Sequence, residues 1–152
     1  VMSHVYAARA VVPGMLARGG GWFVCTASAA GLLSQIGSAP YSVTKHAAVG
    51  FAENLAITDG DRGLHVAVVC PQAVRTRMTA QGGGVAAVDG MMEADAVADC
   101  VLAAMQEERF MVLPHPEVKA YMQRKTSDYD RWIQGMQRLK ARFQAESPAA
   151  DP

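Results

Sequence analysis

Apolar and polar residues along the chain follow two patterns, one typical of helices and one typical of buried strands. Apolar residues at helical spacing predict a helix over residues 1–18, ended by the glycines at 19–21, and a longer helix over residues 39 to about 58. Continuous apolar runs at 22–26 and 64–70 predict short strands buried on both faces. Helices that alternate with buried strands favour a parallel sheet with right-handed crossovers.

The second half of the chain continues this alternation. Residues 94–107 predict an amphipathic helix, residues 110–113 a third strand, and residues 117 to about 145 a mostly helical segment. Residues 79–92 are rich in glycine and are expected to be mobile. The pattern therefore predicts the α/β class, with about three strands and flanking helices.

Length and composition narrow the class of protein. A chain of 152 residues with 51 % hydrophobic and 18 % charged residues suits one domain with a sizeable core. We expect that domain over residues 1–146 and a disordered tail over residues 147–152. A net charge of zero argues against nucleic acid or an anionic membrane as a partner. No apolar run reaches the ~18 residues that a membrane span needs.

The cysteines indicate a reducing compartment. Cys25, Cys70 and Cys100 are odd in number, far apart and inside apolar segments. This spacing predicts buried free thiols, without a disulfide framework or a metal site, in a cytoplasmic protein.

Three polar residues form a candidate catalytic group. Tyr41 and Lys45 are four residues apart in a predicted helix, so they share one helix face. An ammonium there stabilises a phenolate, which would make the tyrosine a candidate general acid/base. Ser28 follows a predicted strand thirteen residues before Tyr41, where its hydroxyl can hold a substrate oxygen. Taken alone, the Tyr–Lys pair can also be an ordinary exposed pair on a helix surface.

The neighbouring residues make the pattern more specific. Three segments occur in order: Thr26-Ala27-Ser28-Ala29-Ala30-Gly31, Tyr41-Ser42-Val43-Thr44-Lys45 and Pro71-Gln72-Ala73-Val74-Arg75-Thr76. Their order and spacing resemble the short-chain dehydrogenase/reductase family, from residue 1 to about residue 143. The resemblance implies the C-terminal part of a Rossmann-like doubly wound parallel sheet. It also implies alcohol–ketone interconversion with NAD or NADP as the cofactor.

The resemblance also assigns roles to individual residues. Ser28 would orient the substrate oxygen, Tyr41 would move the proton, and Lys45 would bind the ribose hydroxyls of the nicotinamide half. The segment containing Pro71, Val74 and Thr76 would lie along the nicotinamide, so the implied cofactor contacts are Tyr41, Lys45, Pro71, Val74 and Thr76. Where the family usually has a glycine, this chain has Gln72.

The substrate side is expected to be apolar. The candidate contacts are Ser28, Ala30, Gln72 and Met78. Methionines and aliphatic residues near these positions suit an apolar alcohol or ketone, although each can equally be ordinary core.

Parts of the family pattern do not occur in this sequence. No G-x-G-x-x-G run is present, the glycines at 19–21 precede a strand instead of following one, and those at 82–84 resemble a hinge. The family's catalytic asparagine would fall at or just before Val1. We therefore expect the catalytic, substrate-side portion of a longer oxidoreductase. The alternative is a truncated, non-catalytic relative that serves at most as a binding or assembly module.

The long helix suggests self-association. Val49, Ala52, Leu55 and Ala56 recur at helical spacing, while Tyr41 and Lys45 need a different face. In the resembling family, this helix and the first one join subunits, which implies a homodimer or homotetramer. The alternative is that the stripe packs only on the chain's own sheet.

Overall fold

A computed structural model describes residues 1–146 as three parallel strands with helices on both faces. The strands, hydrogen-bonded in chain order, are β1 (Gly21–Thr26), β2 (Leu64–Val69) and β3 (Met111–Val112). The helices are α1 (Met2–Ala17), α2 (Ala30–Leu33), α3 (Ala39–Asp59), α4 (Ala94–Gln106), α5 (Glu117–Ser127) and α6 (Tyr129–Glu146). The strands are in register from Gly21 opposite Leu64 to Thr26 opposite Val69, and Val68 lies opposite Met111.

The predicted fold is confirmed: the chain is α/β, with a three-stranded parallel sheet and flanking helices. Helix α2 was not predicted, and β3 is two residues long instead of four. Short 3₁₀ turns occur at the start of the glycine-rich segment, at Arg77–Thr79, and within it, at Gly84–Ala87. The disorder predicted for residues 147–152 lies outside the described residues.

The sheet separates two layers of apolar packing. On one face, Phe23 and Cys25 of β1 and Val66 and Val68 of β2 pack against α1 and α3, mainly through Ala52 and its neighbours. On the other face, the alternate strand residues contact α4; this cluster contains Ala67, Val69, Ala104 and Val112, with Trp22, Val97, Cys100 and Val101 beside it. Because successive strand residues point to opposite faces, each buried strand contributes to both layers.

The prediction that both long strands are buried on both faces is correct for β2 and wrong for β1. Five of the six residues of β2 are buried, whereas Val24 of β1 is 37 % exposed and Thr26 is exposed. The reason is position in the sheet, since β1 lies at its edge and α4 packs over β2 and β3. On that face of β1, Trp22 is covered, and its ring stacks on His65 with 4.9 Å between the ring centres.

Two further predictions change in detail. All three cysteines are free, but only Cys25 and Cys70 are buried. Cys100 is half-buried because it packs at the margin of the apolar cluster that contains Ala104. The apolar stripe on α3 packs on the chain's own core: Ala52 is fully buried, and Leu55 packs beside it. The face of α3 that remains exposed is a different one, which contains Val43, Ala47, Gly50, Asn54 and Ile57.

Candidate active site

Ser28 lies where the chain leaves the sheet, just beyond β1. Its hydroxyl oxygen accepts a hydrogen bond from the backbone N–H of Ala30 at 3.1 Å. The hydroxyl donates to the carbonyl oxygen of Pro71 over 3.4 Å, a long hydrogen bond. The side chain is thus positioned from one side, while its proton is held weakly and can turn toward a substrate oxygen.

Tyr41 and Lys45 occupy the first turns of α3, and both are half-buried. The Lys45 Nζ lies 5.6 Å from the centre of the Tyr41 ring and 3.4 Å from the Thr26 carbonyl oxygen. Because Thr26 precedes Ser28 by two residues, the structure brings Lys45 to the carboxyl end of β1, beside Ser28. Ser28 and the Lys45 ammonium therefore lie at the carboxyl end of β1, with Tyr41 one helical turn from Lys45, on the side of the sheet where parallel α/β folds bind their ligands.

A close backbone approach fixes α2 against α3 at this point. A Cβ atom built on Gly31 would lie 2.5 Å from the carbonyl oxygen of Lys45 and 3.0 Å from Val49. Only glycine fits this contact without displacing the backbone. Gly31 thus sets how closely α2 can approach the backbone of Lys45.

The segment after β2 forms the opposite side of the same edge. Val74 pairs with Met92 in an isolated parallel bridge. The Thr79 hydroxyl accepts from the N–H of Thr76 at 3.0 Å and donates to the carbonyl oxygen of Val74 at 2.5 Å. Pro71 and Val74 are half-buried and Thr76 is exposed, so this loop has an accessible rim.

Gln72 is the centre of a polar network that the sequence did not reveal. Its backbone N–H donates to Nδ1 of His115 at 3.2 Å, and its side-chain amide donates to Asp89 at 2.9 Å. The other oxygen of Asp89 accepts from the Tyr121 hydroxyl at 2.9 Å. The amide that replaces the usual glycine therefore links the loop after β2 to helix α5. The sequence could have indicated this contact, because His115 follows β3 just as Gln72 follows β2, and the carboxyl ends of parallel strands lie at the same edge of the sheet.

Burial shifts the pKa values of two members of this network, His115 and Tyr121. His115 is 3 % exposed, and burial lowers its pKa, an effect partly opposed by Glu117 and Asp89. Burial, together with the hydrogen bond to Asp89, raises the pKa of Tyr121. Neutral His115 can keep Nδ1 as an acceptor for Gln72, whereas the imidazolium cannot.

A cavity of about 790 Å³ opens against this edge. Ser28, Ala30 and Gln72, three of the four predicted substrate contacts, line it. Met78 is 85 % exposed and is not part of the lining, and neither are Tyr41 and Lys45. The far wall comes from α5 and α6, which no motif had indicated; it includes Tyr121, Arg124, Arg131, Trp132, Met136, Arg138 and Leu139.

Comparison with known proteins identifies the family. The family model described as short chain dehydrogenase matches residues 1–86, more than half of the chain. This chain belongs to the short-chain dehydrogenase family. The matched residues contain the three segments on which the resemblance rested, so that prediction is confirmed.

Individual relatives agree with the family assignment. Epidermal retinol dehydrogenase 2 of Homo sapiens is 32 % identical over 118 residues, which cover 74 % of this chain and 38 % of that protein. The 1-deoxy-11-beta-hydroxypentalenate dehydrogenase of Streptomyces exfoliatus is 32 % identical over 136 residues, covering 86 % of this chain and 49 % of the relative. The chain thus spans half or less of the length of these curated relatives.

Solved structures of short-chain dehydrogenases share the fold. One from Burkholderia phymatum, in complex with NAD, has a TM-score of 0.71 and 27 % identity, covering 86 % of this chain and 56 % of that chain. Another, from Sphingobium yanoikuyae in complex with NADPH, has a TM-score of 0.70 at 23 % identity, covering 93 % and 53 %. The second likeness bears on the fold alone.

The described part of the chain lacks both a metal-binding group and a membrane-spanning helix. Within residues 1–146, no three His, Cys, Asp or Glu side chains are grouped as a metal ion would require. Over the same residues, none of the helices combines the length and apolar character needed to cross a bilayer.

Proposed function

We propose that this chain forms the catalytic and substrate side of an NAD(P)-dependent oxidoreductase that interconverts an alcohol and a ketone. The observation that carries the proposal is the convergence of Ser28 and Lys45 at the end of β1, with Tyr41 one helical turn from Lys45. Membership of the short-chain dehydrogenase family supports it, as do the names of the relatives.

Each of the three side chains has one role in the proposed reduction. The Tyr41 hydroxyl donates its proton to the carbonyl oxygen as that oxygen gains negative charge. The Ser28 hydroxyl, released from its long bond to Pro71, donates a hydrogen bond to the same oxygen. The Lys45 ammonium stabilises the phenolate that remains. In oxidation the same residues act in reverse, with phenolate taking the proton from the alcohol.

The nicotinamide half of the cofactor fits the donors at this edge. When bound, NAD or NADP supplies or accepts the hydride. Lys45 has three N–H donors and uses one of them, over 3.4 Å, on Thr26, so donors remain for ribose hydroxyls. Pro71, Val74 and Thr76 form the accessible rim beside it. We assign the pyrophosphate to no residue of this chain, whose sequence contains no G-x-G-x-x-G run.

The body of the substrate is proposed to be apolar. Leu33, Val85, Trp132, Met136 and Leu139 line the cavity that Ser28 opens into. Apolar walls with a few convergent polar groups suit an apolar ligand with one reactive oxygen. A relative named for retinol is consistent with this class.

We also propose a homodimer or homotetramer in the cytoplasm. The outward face of α3 presents Val43 and Ile57, which are 67 % and 76 % exposed, around the small residues Ala47 and Gly50. This face is apolar except for Asn54, and the small residues at its centre allow close approach of a second copy. The three free thiols support a reducing compartment.

Replacing Tyr41 by phenylalanine tests the function directly. In the complete gene product, Tyr41→Phe removes the proton donor and keeps the ring, so kcat should fall by about 10²–10⁴-fold. Tyr129→Phe is the matched control, because that tyrosine is exposed and lies in α6. Near wild-type turnover by Tyr41→Phe would overturn the assignment.

The non-catalytic alternative is tested with the 152-residue chain alone. NADH and NADPH are titrated into the purified chain, and reduction of a ketone is assayed. We expect little or no activity, since a phosphate cradle supplies much of the cofactor's binding energy. If the complete gene product also bound no cofactor and reduced no ketone, the chain would be a binding or assembly module.

A further inference from the structure

Helix α6 presents two adjacent stripes of different chemistry. Trp132, Met136 and Leu139 recur at intervals of four and three residues and form an apolar stripe; all three line the cavity and are half-buried. Arg131 and Arg138, seven residues apart, lie on the neighbouring stripe and line the same cavity. The helix thus offers apolar surface and guanidinium groups side by side.

The cavity wall is strongly cationic although the chain is neutral. Arg124 and Arg142 also line it, so four guanidinium groups face one lining carboxylate, that of Asp128. Asp128 is already engaged, since it accepts from the backbone N–H of Arg131 at 2.9 Å. Among residues 1–145, whose side chains the structure describes, no carboxylate lies within 4.0 Å of these four groups. The net charge of the whole chain is zero, so this concentration of charge is local.

Gly135 leaves space between the two stripes. A Cβ atom built there would meet only the Arg138 guanidinium, at 3.9 Å. Glycine in the middle of a helix costs about 1 kcal/mol relative to alanine. Because Gly135 has no side chain, nothing protrudes from the helix between Arg138 and the apolar stripe, so a ligand can lie across both.

We propose that the substrate is an amphipathic anion: an alcohol or ketone with an apolar body and a carboxylate or phosphate group. Its reactive oxygen lies at Ser28, its body contacts Trp132, Met136 and Leu139, and its anionic group pairs with Arg131 and Arg138. Guanidinium groups suit this role because they bind carboxylate and phosphate in a bidentate manner. The proposal rests on the proposed function and adds the chemical class of its substrate.

Binding is tested without turnover, through the fluorescence of Trp132. The chain has two tryptophans, so Trp22→Phe leaves Trp132 as the only one, and excitation at the long-wavelength edge of indole absorption avoids the tyrosines. Sodium decanoate, decyl phosphate and 1-decanol are titrated into this variant. We expect at least one of the anions to change the emission at a severalfold lower concentration than the alcohol. Whichever anion binds more tightly identifies the head group. Equal affinity for the alcohol and both anions would overturn the proposal.

Charge variants attribute the binding to the arginines. Exposed ion pairs contribute about 0.2–1 kcal/mol each, so Arg131→Gln with Arg138→Gln should weaken anion binding by about 2- to 30-fold and leave 1-decanol unchanged. Lys119→Gln with Lys140→Gln is the control: both lysines are exposed on α5 and α6, do not line the cavity, and carry the same charge. Added salt should weaken only the anions. Equal effects of the two double variants would contradict a specific role for the arginines.

Activity of the complete gene product separates this proposal from the proposed function. The two substrates are 2-decanone and 9-oxodecanoate, which share a chain length and a methyl ketone. We expect a KM about 2- to 30-fold lower for the keto acid, a difference that the arginine double variant removes, with little change in kcat. Turnover of both with equal KM would overturn the anionic substrate and leave the oxidoreductase in place. Turnover of neither would overturn the oxidoreductase.

Discussion

The two walls of the cavity are built in different ways. On the sheet side, Ser28 comes just after β1, and Ala30 and Leu33 lie in α2. These three residues are between 5 % and 9 % exposed. On the helical side, Trp132 is half-buried and Arg131 is exposed. The first wall holds the proposed chemistry on close-packed backbone, and the second offers long side chains that can adjust to a ligand. A catalytic group needs precise placement, whereas a binding surface tolerates side-chain movement.

Gly31→Ala should have the largest effect on the sheet-side wall. The new Cβ would lie 2.5 Å from the Lys45 carbonyl oxygen, so α2 or α3 must shift. Overpacking of this kind costs about 1–3 kcal/mol, and the shift should lower kcat by moving Lys45. Urea unfolding at constant m-value measures the first effect, and steady-state kinetics of the complete gene product measures the second.

Gly60→Ala is the matched control for this change. Gly60 ends α3 with right-handed helical backbone angles, and a Cβ there meets nothing within 4 Å, so alanine should be neutral or stabilise this helix end by up to about 1 kcal/mol. If both variants unfolded at the same urea concentration and kept full kcat, the α2–α3 contact would not be what places Lys45.

On the sheet side, the sequence predicted the strand and the helix that carry Ser28, Tyr41 and Lys45, whereas the roles of these three residues stay a prediction. Ser28, Tyr41 and Lys45 are tied to local features, a strand end and one helical turn, and local features are written in short-range patterns. The error at β1 has a physical cause as well. Whether Val24 is buried depends on which elements cover its strand, and no pattern within residues 22–26 records that.

The helical wall could not be predicted because its contacts join distant parts of the chain. Gln72 reaches Asp89 across 17 residues, and Tyr121 reaches Asp89 across 32. Amphipathic spacing predicted that residues 117 to about 145 would be helical. It did not indicate that Trp132 would line a cavity opposite Ser28 while also packing against the cluster that contains Leu33 and Val118.

Acid should lower the unfolding free energy through His115, whose Nδ1 accepts the hydrogen bond from the Gln72 N–H. Burial lowers the pKa of His115 in the folded protein below its ordinary value of 6.5. As the pH falls below 6.5, the unfolded chain takes up a proton that the folded protein resists, so this contribution to stability is present above pH 6.5 and is lost below it. Protonation of Nδ1 in the folded protein would also remove the acceptor for the Gln72 N–H, so KM should rise at a lower pH than the one at which stability begins to fall, because the pKa of folded His115 lies below 6.5.

His115→Asn isolates this contribution. Asparagine keeps a side-chain acceptor near the position of Nδ1 but does not titrate in this range. The unfolding free energy of the variant should depend less on pH between about 7.5 and 5 than that of the wild type. Burial also lowers the pKa of His4, and His4 affects the pH dependence of both proteins equally. The readout is therefore the difference between the two proteins in the slope of unfolding free energy against pH. Identical slopes would exclude His115 as the titrating group.

The smallest effect on folding is expected on the outward face of α3, where the comparison is between two alanines of one helix. Ala52 is fully buried against the sheet, so Ala52→Glu would bury an unpaired charge and destabilise the fold by several kcal/mol. Ala47 is exposed between Val43 and Gly50, and Ala47→Glu should leave the unfolding free energy within about 0.5 kcal/mol of the wild type.

At the proposed subunit contact, however, two copies of the carboxylate introduced by Ala47→Glu would face each other. Light scattering of the complete gene product should therefore report a dimer or tetramer that Ala47→Glu converts to smaller species while each subunit stays folded. A wild-type monomer at micromolar concentration, or an oligomer that Ala47→Glu leaves intact, would show that this face of α3 is not the interface.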